Sequence, residues 1–312
     1  MLAQTTFTST MYRHGHDIVI PPSSGIPDGD VWNYMAPIHP PRRKHLASFE
    51  GEYLSEYNMN ANGSAQFLQR TDNLQKSIVR TLKDMQIEHP EENFKFSFEC
   101  ETQETMGFSS EFGLCGAGSS RDMLLKESTF VLVIGPSNSS LTSTLNMQTR
   151  IYEALKNGAV PVVLGSSADL PFSEYVPWYK AILTVPKFRV TQLHAILTSF
   201  SEYDILQLRH HGHNFWQYFM GSTQSVLDMV LATVRTRLHI PPLPICKCNK
   251  RLPNGSPYAH AEEENTKKED QMNFTYSEES VSSCRDPFHL YAHALMTPVL
   301  PPENICKGNV FH

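Results

Sequence analysis

The spacing of apolar residues predicts a helix, a turn and a buried strand between Thr149 and Gly165. Residues 150–156 carry an apolar stripe at helical spacing, formed by Ile151, Ala154 and Leu155. Asn157-Gly158 then indicates a helix stop, because glycine readily takes the left-handed conformation that ends helices. Val160–Leu164 is apolar on both faces, which is typical of a strand inside a covered parallel sheet.

The same patterns predict further strands and helices on both sides of this stretch. The predicted strands are His45–Phe49, Phe94–Cys100, Phe130–Ile134 and Ala181–Val185. The predicted helices are Ala65–Met85, Arg121–Ser128, Val190–Phe200 and Tyr203–Thr236. This alternation favours an α/β fold, a Rossmann-like parallel sheet with helices on both faces. Ligands of such sheets bind beyond the carboxyl ends of the strands, where residues 135–140 and 149–153 should lie.

Composition divides the chain into three parts. Residues 1–43 are rich in proline and glycine and are predicted to be a linker over a domain surface. Residues 44–240 contain the alternating elements and form the predicted Rossmann-like domain. Residues 241–312 begin with a charged stretch of few apolar residues, so we expect a flexible linker and tail.

The overall composition is that of an ordinary globular protein, and it gives no support for a nucleic acid partner or a membrane span. The 312 residues are 40% hydrophobic and 19% charged, with a formal net charge of −6. This charge gives no reason to expect a nucleic acid partner. No run of 18 or more apolar residues suggests a membrane span, and the first 20 residues do not resemble a signal peptide.

Cysteines and glycosylation motifs point to an oxidising lumen. The six cysteines are compatible with disulfides, and Cys100 with Cys115 would close a short loop; free buried thiols are the alternative. Candidate N-glycosylation sites are Asn62, Asn138 and Asn273. A lumenal chain without a targeting segment suggests a piece of a longer protein.

The sequence predicts no metal site. Zinc-type spacing of cysteine and histidine is absent from the sequence. Asp28-Gly29-Asp30 has the spelling of a metal-diphosphate motif, but it lies between prolines with no strand before it, so a turn explains it better.

Arg150 and Glu153 are the candidate ligand-binding pair of the predicted helix. They lie one turn apart on one flank, and the pattern predicts that the helix begins at Arg150. The arginine could pair with a diphosphate, helped by the free N–H groups of the helix N-terminus, while the glutamate could accept from ribose hydroxyls. The alternative is an ordinary ion pair on a solvated face.

Two further sets of residues have structural alternatives. Arg42, Arg43 and Lys44 could bind a polyanion, or they could be solvated linker charges. Trp178 and Trp216 could stack on sugars, but core packing is the favoured interpretation.

Several motifs in register resemble glycosyltransferase family 47, the exostosin family. They are STFVLVIGPS, TRIYEALKNGAVPVVLG, LPFSEYVPW and ILTVP, between Ser128 and Pro186. Upstream, YRHGHDIVIPP and RRKHLASFEG also resemble the family, and RVTQLHAILTSFSEYDILQLR downstream is similar to its animal exostosin-like-3 branch. The resemblance covers nearly the whole chain, most clearly residues 40–240.

The resemblance implies a fold and a set of nucleotide contacts. The family is expected to have the two-Rossmann GT-B architecture, of which residues 44–240 would be the C-terminal, nucleotide-binding half. Arg150 and Glu153 match the positions expected to bind the diphosphate and ribose of UDP, with Thr149 directly before them. Gly135 and Ser137 match the loop near the phosphates. The chain would then be a fragment that lacks the acceptor-side half and a C-terminal family 64 transferase domain.

The resemblance also implies an activity and a cellular setting. The expected activity is inverting transfer from a UDP-sugar to a glycosaminoglycan acceptor in heparan sulfate biosynthesis, and this chain alone is expected to be incomplete for catalysis. No residue is assigned as catalytic base, which would come from the missing half, and no metal or other cofactor is expected. The expected setting is the Golgi or endoplasmic reticulum lumen, within a type II membrane protein that forms homo- or hetero-oligomers with exostosin-type proteins. A non-catalytic scaffold or dimerisation module is the alternative.

Overall fold

The computed structural model describes residues 1–22, 35–53, 65–100, 112–116, 118–136, 141, 143–165 and 169–240. In these ranges the strands are β1 (Ala3–Gln4), β2 (Ile18–Val19), β3 (His45–Glu50), β4 (Glu52–Tyr53), β5 (Lys95–Ser97), β6 (Phe112–Gly113), β7 (Ser128–Ile134), β8 (Val160–Leu164) and β9 (Leu183–Val185). The α-helices are α1 (Ala65–Glu88), α2 (Gly118–Lys126), α3 (Leu145–Lys156), α4 (Leu193–Thr198), α5 (Glu202–Phe215) and α6 (Thr223–Arg237). Shorter 3₁₀ segments are Pro90–Glu92, Trp178–Lys180 and Lys187–Gln192, and Trp216–Met220 is a π-helical turn.

Five parallel strands form the central sheet in the order β5-β3-β7-β8-β9. Every residue of β7 and β8 is buried, which explains why both strands are apolar on both faces. Counted along the chain, the spatial order of the sheet strands is 2-1-3-4-5, a doubly wound topology. The predicted α/β fold with a parallel sheet is confirmed.

Helices cover both faces of the sheet, as predicted. On one face, Leu132 and Leu164 pack in a core cluster with residues of α1, α4 and α5. On the other face, the adjacent strand residues Val133 and Val163 pack with α3, α6 and the π-helical turn. The alternation arises because successive strand residues point to opposite faces. Trp178 and Trp216 are both buried in the second cluster, so the predicted core packing is confirmed.

Helix α3 ends where the sequence predicts but begins earlier. The prediction that it starts at Arg150 is wrong, because Thr144 caps a helix beginning at Leu145 and its side chain accepts from the backbone N–H of Met147. The helix ends at Lys156, and Gly158 has the expected left-handed conformation, with φ of +64°. Arg150 therefore lies in the second turn, about 7–8 Å along the axis from the first helical residue.

The C-terminal helical region is divided, whereas the sequence predicted one helix from Tyr203 to Thr236. Helix α5 continues into the π-helical turn, and the helical conformation is then interrupted at Gly221 and Ser222. Ser222 caps α6 by accepting from the backbone N–H of Ser225 at 3.0 Å. The break separates α5, which packs mainly in the first core cluster through Ile205 and Leu208, from α6, which packs in the second through Met229.

A buried carboxylate holds residues 1–22 together, and Arg237 joins this segment to the domain. Strands β1 and β2 pair in parallel, which the sequence did not predict. Asp17 accepts from the backbone N–H of Leu2 at 2.9 Å and from two guanidinium nitrogens of Arg13. The hydrogen bonds from Arg13 hold the pKa of Asp17 well below its usual value. Arg237 of α6 donates to the carbonyl oxygen of His16 at 2.8 Å, which joins this segment to the last helix.

The basic residues 42–44 contact the protein itself. Arg43 donates to the carbonyl oxygens of Leu125, Ser128, Asn157 and Pro37. Burial lowers the pKa of Arg43 to about 10. The interpretation as solvated linker charges is therefore wrong for Arg43, and its engagement also argues against a polyanion site on this run.

None of the helices in the described ranges has the length and hydrophobicity needed to span a membrane.

Candidate nucleotide-binding edge

The candidate site lies at the carboxyl edge of the sheet, between β3 and β7. The spatial order of the strands reverses at this pair, and ligands of doubly wound folds bind at such a switch point. Each strand is followed at once by a glycine, Gly51 and Gly135. Strands β4 and β6 pair antiparallel and form a two-stranded ribbon, called the β4–β6 ribbon below. Because β4 follows Gly51 directly, this ribbon lies over the end of β3.

Arg150 reaches this edge from α3, but its guanidinium group contacts the protein backbone. It donates to the carbonyl oxygens of Glu50 and Gly113, both at 2.7 Å, and to that of Phe112 at 3.4 Å. The guanidinium carbon lies 4.9 Å from the ring centroid of Phe49. Arg150 is only 7% exposed, so a nucleotide could reach this group only if the β4–β6 ribbon moved.

Gly51 allows the guanidinium group of Arg150 to approach the end of β3. A Cβ atom at this position would clash with the guanidinium group and would lie 2.8 Å from the carbonyl oxygen of Gly113. Only glycine fits between the arginine and the ribbon.

Glu153 pairs with Arg121 rather than with Arg150. Its carboxylate oxygens accept from two guanidinium nitrogens of Arg121 at 2.7 and 2.9 Å, and both side chains are about nine-tenths buried. Burial lowers the pKa of Arg121, but the hydrogen bonds and charge of Glu153 outweigh this effect and raise it. Arg121 also donates to the carbonyl oxygens of Cys115 and Gly116. The alternative interpretation, an ion pair between Arg150 and Glu153 on a solvated face, is therefore wrong.

A disulfide joins Cys100 to Cys115, as the sequence predicted. Cys100 follows β5, whereas Cys115 follows β6 and supplies a carbonyl oxygen to Arg121. The disulfide thereby ties the segment 112–116, which contacts both Arg150 and Arg121, to the edge of the sheet.

The other predicted site residues are only partly described. Thr149 is 5% exposed within α3, next to Arg150. Gly135 follows β7 at the carboxyl edge, where a Cβ atom would lie 3.2 Å from the carbonyl oxygen of Leu164. Ser137, the glycosylation candidates Asn62, Asn138 and Asn273, and Asp28-Gly29-Asp30 lie outside the described residues. The roles of these residues stay predictions.

The interior below the edge is too small for a nucleotide. A cavity of about 20 Å³ lies against Ser48, Arg121, Arg150 and Glu153, which is room for about one water molecule. A nucleotide at this switch point would therefore lie above the strand ends, next to the loop after β7.

Lys187 is a further cation at this edge that sequence reasoning did not single out. Its Nζ atom donates to the carbonyl oxygens of Gly135 at 2.8 Å and Pro136 at 2.9 Å. Burial lowers its pKa to about 8. The sequence did contain a signal for Lys187: it lies two residues after the predicted strand that ends at Val185, a position at the carboxyl edge of the sheet.

The arrangement combines features that suit a negatively charged ligand. Glycines follow adjacent strands, two arginines and a lysine lie at or below the edge, and a capped helix begins after the β7 loop. Among the described residues, no cluster of histidine, cysteine and acidic side chains could hold a metal ion.

Comparison with known proteins gives the same family as the sequence motifs. The model of the exostosin GT47 domain matches residues 1–200. An exostosin-like-3 homolog from Caenorhabditis elegans is 29% identical over 121 residues, which are 39% of this chain and 14% of the relative. Exostosin-2 from Mus musculus is 22% identical over 252 residues, 77% of this chain and 29% of the relative. An exostosin-1 homolog from Caenorhabditis elegans is 34% identical over 117 residues, 38% of this chain and 29% of the relative. The chain thus spans less than a third of each of these relatives.

Proposed function

The chain belongs to the exostosin GT47 family, and on this premise we propose that it is the donor-binding half of a glycosyltransferase. The donor is a UDP-sugar, and the acceptor is a growing glycosaminoglycan chain of the heparan sulfate type. The module acts in the lumen of the Golgi or endoplasmic reticulum as part of a longer, membrane-anchored protein that assembles with exostosin-type proteins.

The observation that carries this proposal is the position of Arg150. Its guanidinium group lies 2.7 Å from the carbonyl oxygen of Glu50, the last residue of β3 and one side of the switch point. A nucleotide in a doubly wound sheet occupies this crevice, and its diphosphate requires positive charge there. The motif that resembles the family's donor site therefore lies at the edge where a donor would bind.

In this proposal the donor contacts come from α3 and from the loop after β7. Arg150 faces the diphosphate, Glu153 the ribose hydroxyls, and Thr149, Gly135 and Ser137 line the path between them. Positive charge at this place stabilises the departing UDP, so the module needs no metal for that step. The acceptor hydroxyl is deprotonated by a base outside this half.

The contacts of Arg150 and Glu153 set a condition on donor binding. Both groups already have protein partners, through segment 112–116 and through Arg121. Donor binding at these side chains therefore requires the β4–β6 ribbon to move away from the end of β3.

The same contacts favour a second candidate function, a non-catalytic scaffold that supports a neighbouring transferase domain. If the ribbon stays in place, Arg150 and Glu153 stabilise the fold and no donor binds at them. In that case the module keeps the family's fold and contributes a surface for assembly.

Calorimetry with the full chain separates the two functions. UDP and a set of UDP-sugars are titrated into the wild type, with ADP as a nucleotide control. The donor-binding proposal predicts saturable heat with uridine nucleotides and at least about tenfold weaker binding in Glu153→Gln. Arg189→Met, which removes an exposed arginine on another element, should bind like the wild type. Absence of heat with every uridine nucleotide contradicts donor binding and supports the scaffold.

A further inference from the structure

Lys187 is partly buried and lacks a carboxylate partner among the described residues. It begins the 3₁₀ segment after β9 and crosses the end of the sheet to the loop after β7. No carboxylate in the described part of the chain lies within ion-pair distance of its Nζ atom, whose described acceptors are the carbonyl oxygens of Gly135 and Pro136. An ammonium group has three N–H donors, so one donor has no acceptor among the described residues.

A partly buried cation without a carboxylate partner is available to an anion. Removing an ammonium group from water is unfavourable unless a counter-charge compensates for the lost hydration. Burial alone accounts for the lowered pKa of Lys187, and no neighbouring acid raises it. A bound anion would supply the missing charge and accept the remaining N–H.

The strand ends beside Lys187 pack closely and carry glycines instead of side chains. Gly135 and Gly165 follow adjacent strands, and a Cβ atom on either would lie within 3.9 Å of the other residue's Cα atom. With no side chains at these two positions, a ligand could approach the strand ends closely, as phosphates do in other glycine-ended strands.

We infer that Lys187 contacts a phosphate group of the donor nucleotide, from the face of the sheet opposite to α3. The 3₁₀ segment that begins at Lys187 contacts α1 and α4, and its Nζ atom reaches Gly135 and Pro136, whereas α3 packs on the other face of the sheet. The diphosphate then lies between the lysine and the start of α3. This role rests on the proposed donor function, because it places a nucleotide diphosphate at the same edge.

The competing role for Lys187 is purely structural, since its two hydrogen bonds join Gly135 and Pro136 to the end of β9. If the role is purely structural, substitution of Lys187 should lower the stability of the fold and leave the affinity for an anion unchanged. The two roles therefore differ in a measurable quantity.

The experiment measures binding of inorganic pyrophosphate and of UDP to the full chain by calorimetry, in parallel with thermal unfolding. Lys187→Met removes the charge and keeps much of the side-chain length, whereas Lys187→Arg keeps the charge. Lys95→Met is the matched control, because Lys95 is exposed on the edge strand β5. We expect binding of both ligands to weaken by about 10- to 100-fold in Lys187→Met, to be largely kept in Lys187→Arg, and to be unchanged in Lys95→Met.

A second measurement on the wild type covers the case in which Lys187→Met does not fold. Reductive methylation followed by mass spectrometry reports how accessible each lysine is. Pyrophosphate should slow the methylation of Lys187 and leave that of Lys95 unchanged. Equal methylation of Lys187 with and without saturating pyrophosphate overturns the assignment.

The outcomes separate this inference from the donor proposal. Unchanged UDP binding in folded Lys187→Met overturns the role of Lys187 and leaves donor binding intact. Pyrophosphate binding that depends on Lys187, without UDP binding, supports the anion site and contradicts donor binding. If the wild type binds neither ligand, both are contradicted.

Discussion

The guanidinium group of Arg150 donates a 2.7 Å hydrogen bond to the carbonyl oxygen of Gly113, 37 residues earlier in the chain. This bond joins helix α3 to the β4–β6 ribbon, and a second bond to Glu50 joins the same group to the end of β3. A buried guanidinium group is tolerated only when its donors are satisfied, and backbone carbonyls do this here. The β4–β6 ribbon therefore covers the candidate site, and the hydrogen bonds of Arg150 hold the ribbon against the end of β3.

Arg150 should contribute strongly to stability. Arg150→Met leaves buried carbonyl oxygens without donors, so the free energy of unfolding should fall by about 2–4 kcal/mol. Arg150→Lys keeps a charge but not the planar fork, and should lose a smaller part. Urea unfolding measures both, and exposed Arg189→Met should change stability by less than about 0.5 kcal/mol. If Arg150→Met lost UDP binding at unchanged stability, its guanidinium group would not be holding the ribbon in solution.

The buried pair of Arg121 and Glu153 should show strong coupling. Each single change, Arg121→Met or Glu153→Met, leaves a buried charge without its partner and should lower the free energy of unfolding by about 3–5 kcal/mol. The double variant removes both charges, so its loss should be well below the sum of the single losses. A double-mutant cycle by denaturant unfolding measures this coupling. Strict additivity would mean that the two groups do not interact in solution.

The Cys100–Cys115 disulfide should stabilise the segment that covers Arg150. It closes a loop with a sequence separation of 15 residues. Constraint of the unfolded chain by a loop of this size contributes about 3 kcal/mol. Cys100→Ser with Cys115→Ser should lower the free energy of unfolding by about this amount, and reductant should then have no further effect attributable to this disulfide. Equal stability of the variant and the oxidised wild type would contradict a stabilising role.

Acid should destabilise the fold through His213. Burial, and to a smaller extent His210, lower the pKa of His213 from an ordinary 6.5 to about 4. Between these values the unfolded chain binds a proton that the folded chain does not, so stability falls as the pH decreases from 6.5 to 4. The loss attributable to this group is up to about 1.4 kcal/mol per pH unit.

Unfolding of the wild type and His213→Gln at pH 7.0, 5.5 and 4.5 measures this effect. The variant should lose less stability across the series than the wild type. The exposed His16→Gln serves as the control, and should follow the wild type. Parallel curves for the wild type and His213→Gln would show that His213 is not buried as a neutral group.

Elements whose signals are local were predictable from the sequence. The end of α3, Gly158 and β8 agree with the prediction, because a capping glycine and an all-apolar strand are decided by adjacent residues. The start of α3 and the break at Gly221 also had local signals, the capping residues Thr144 and Ser222, which the apolar periodicity outweighed.

Partners of buried charges could not be predicted in the same way. Arg43 contacts residues up to 114 positions away, and Glu153 pairs with Arg121, 32 positions away. Such contacts depend on strand order and on where the ribbon lies, neither of which sequence periodicity contains. The position of Lys187 after a predicted strand was a sequence signal, but its acceptors were unpredictable for the same reason, since they belong to a different strand end.

Hydrogen–deuterium exchange of the full chain, with and without UDP, tests most directly whether the carboxyl edge between β3 and β7 is a nucleotide site. We expect slower exchange at saturating UDP in peptides covering residues 135–150 and around Lys187, with α6 unchanged. We also expect altered exchange in residues 112–116, because the β4–β6 ribbon must move for a nucleotide to reach Arg150. Unchanged exchange throughout these peptides at saturating UDP, or protection confined to other parts of the chain, would contradict it.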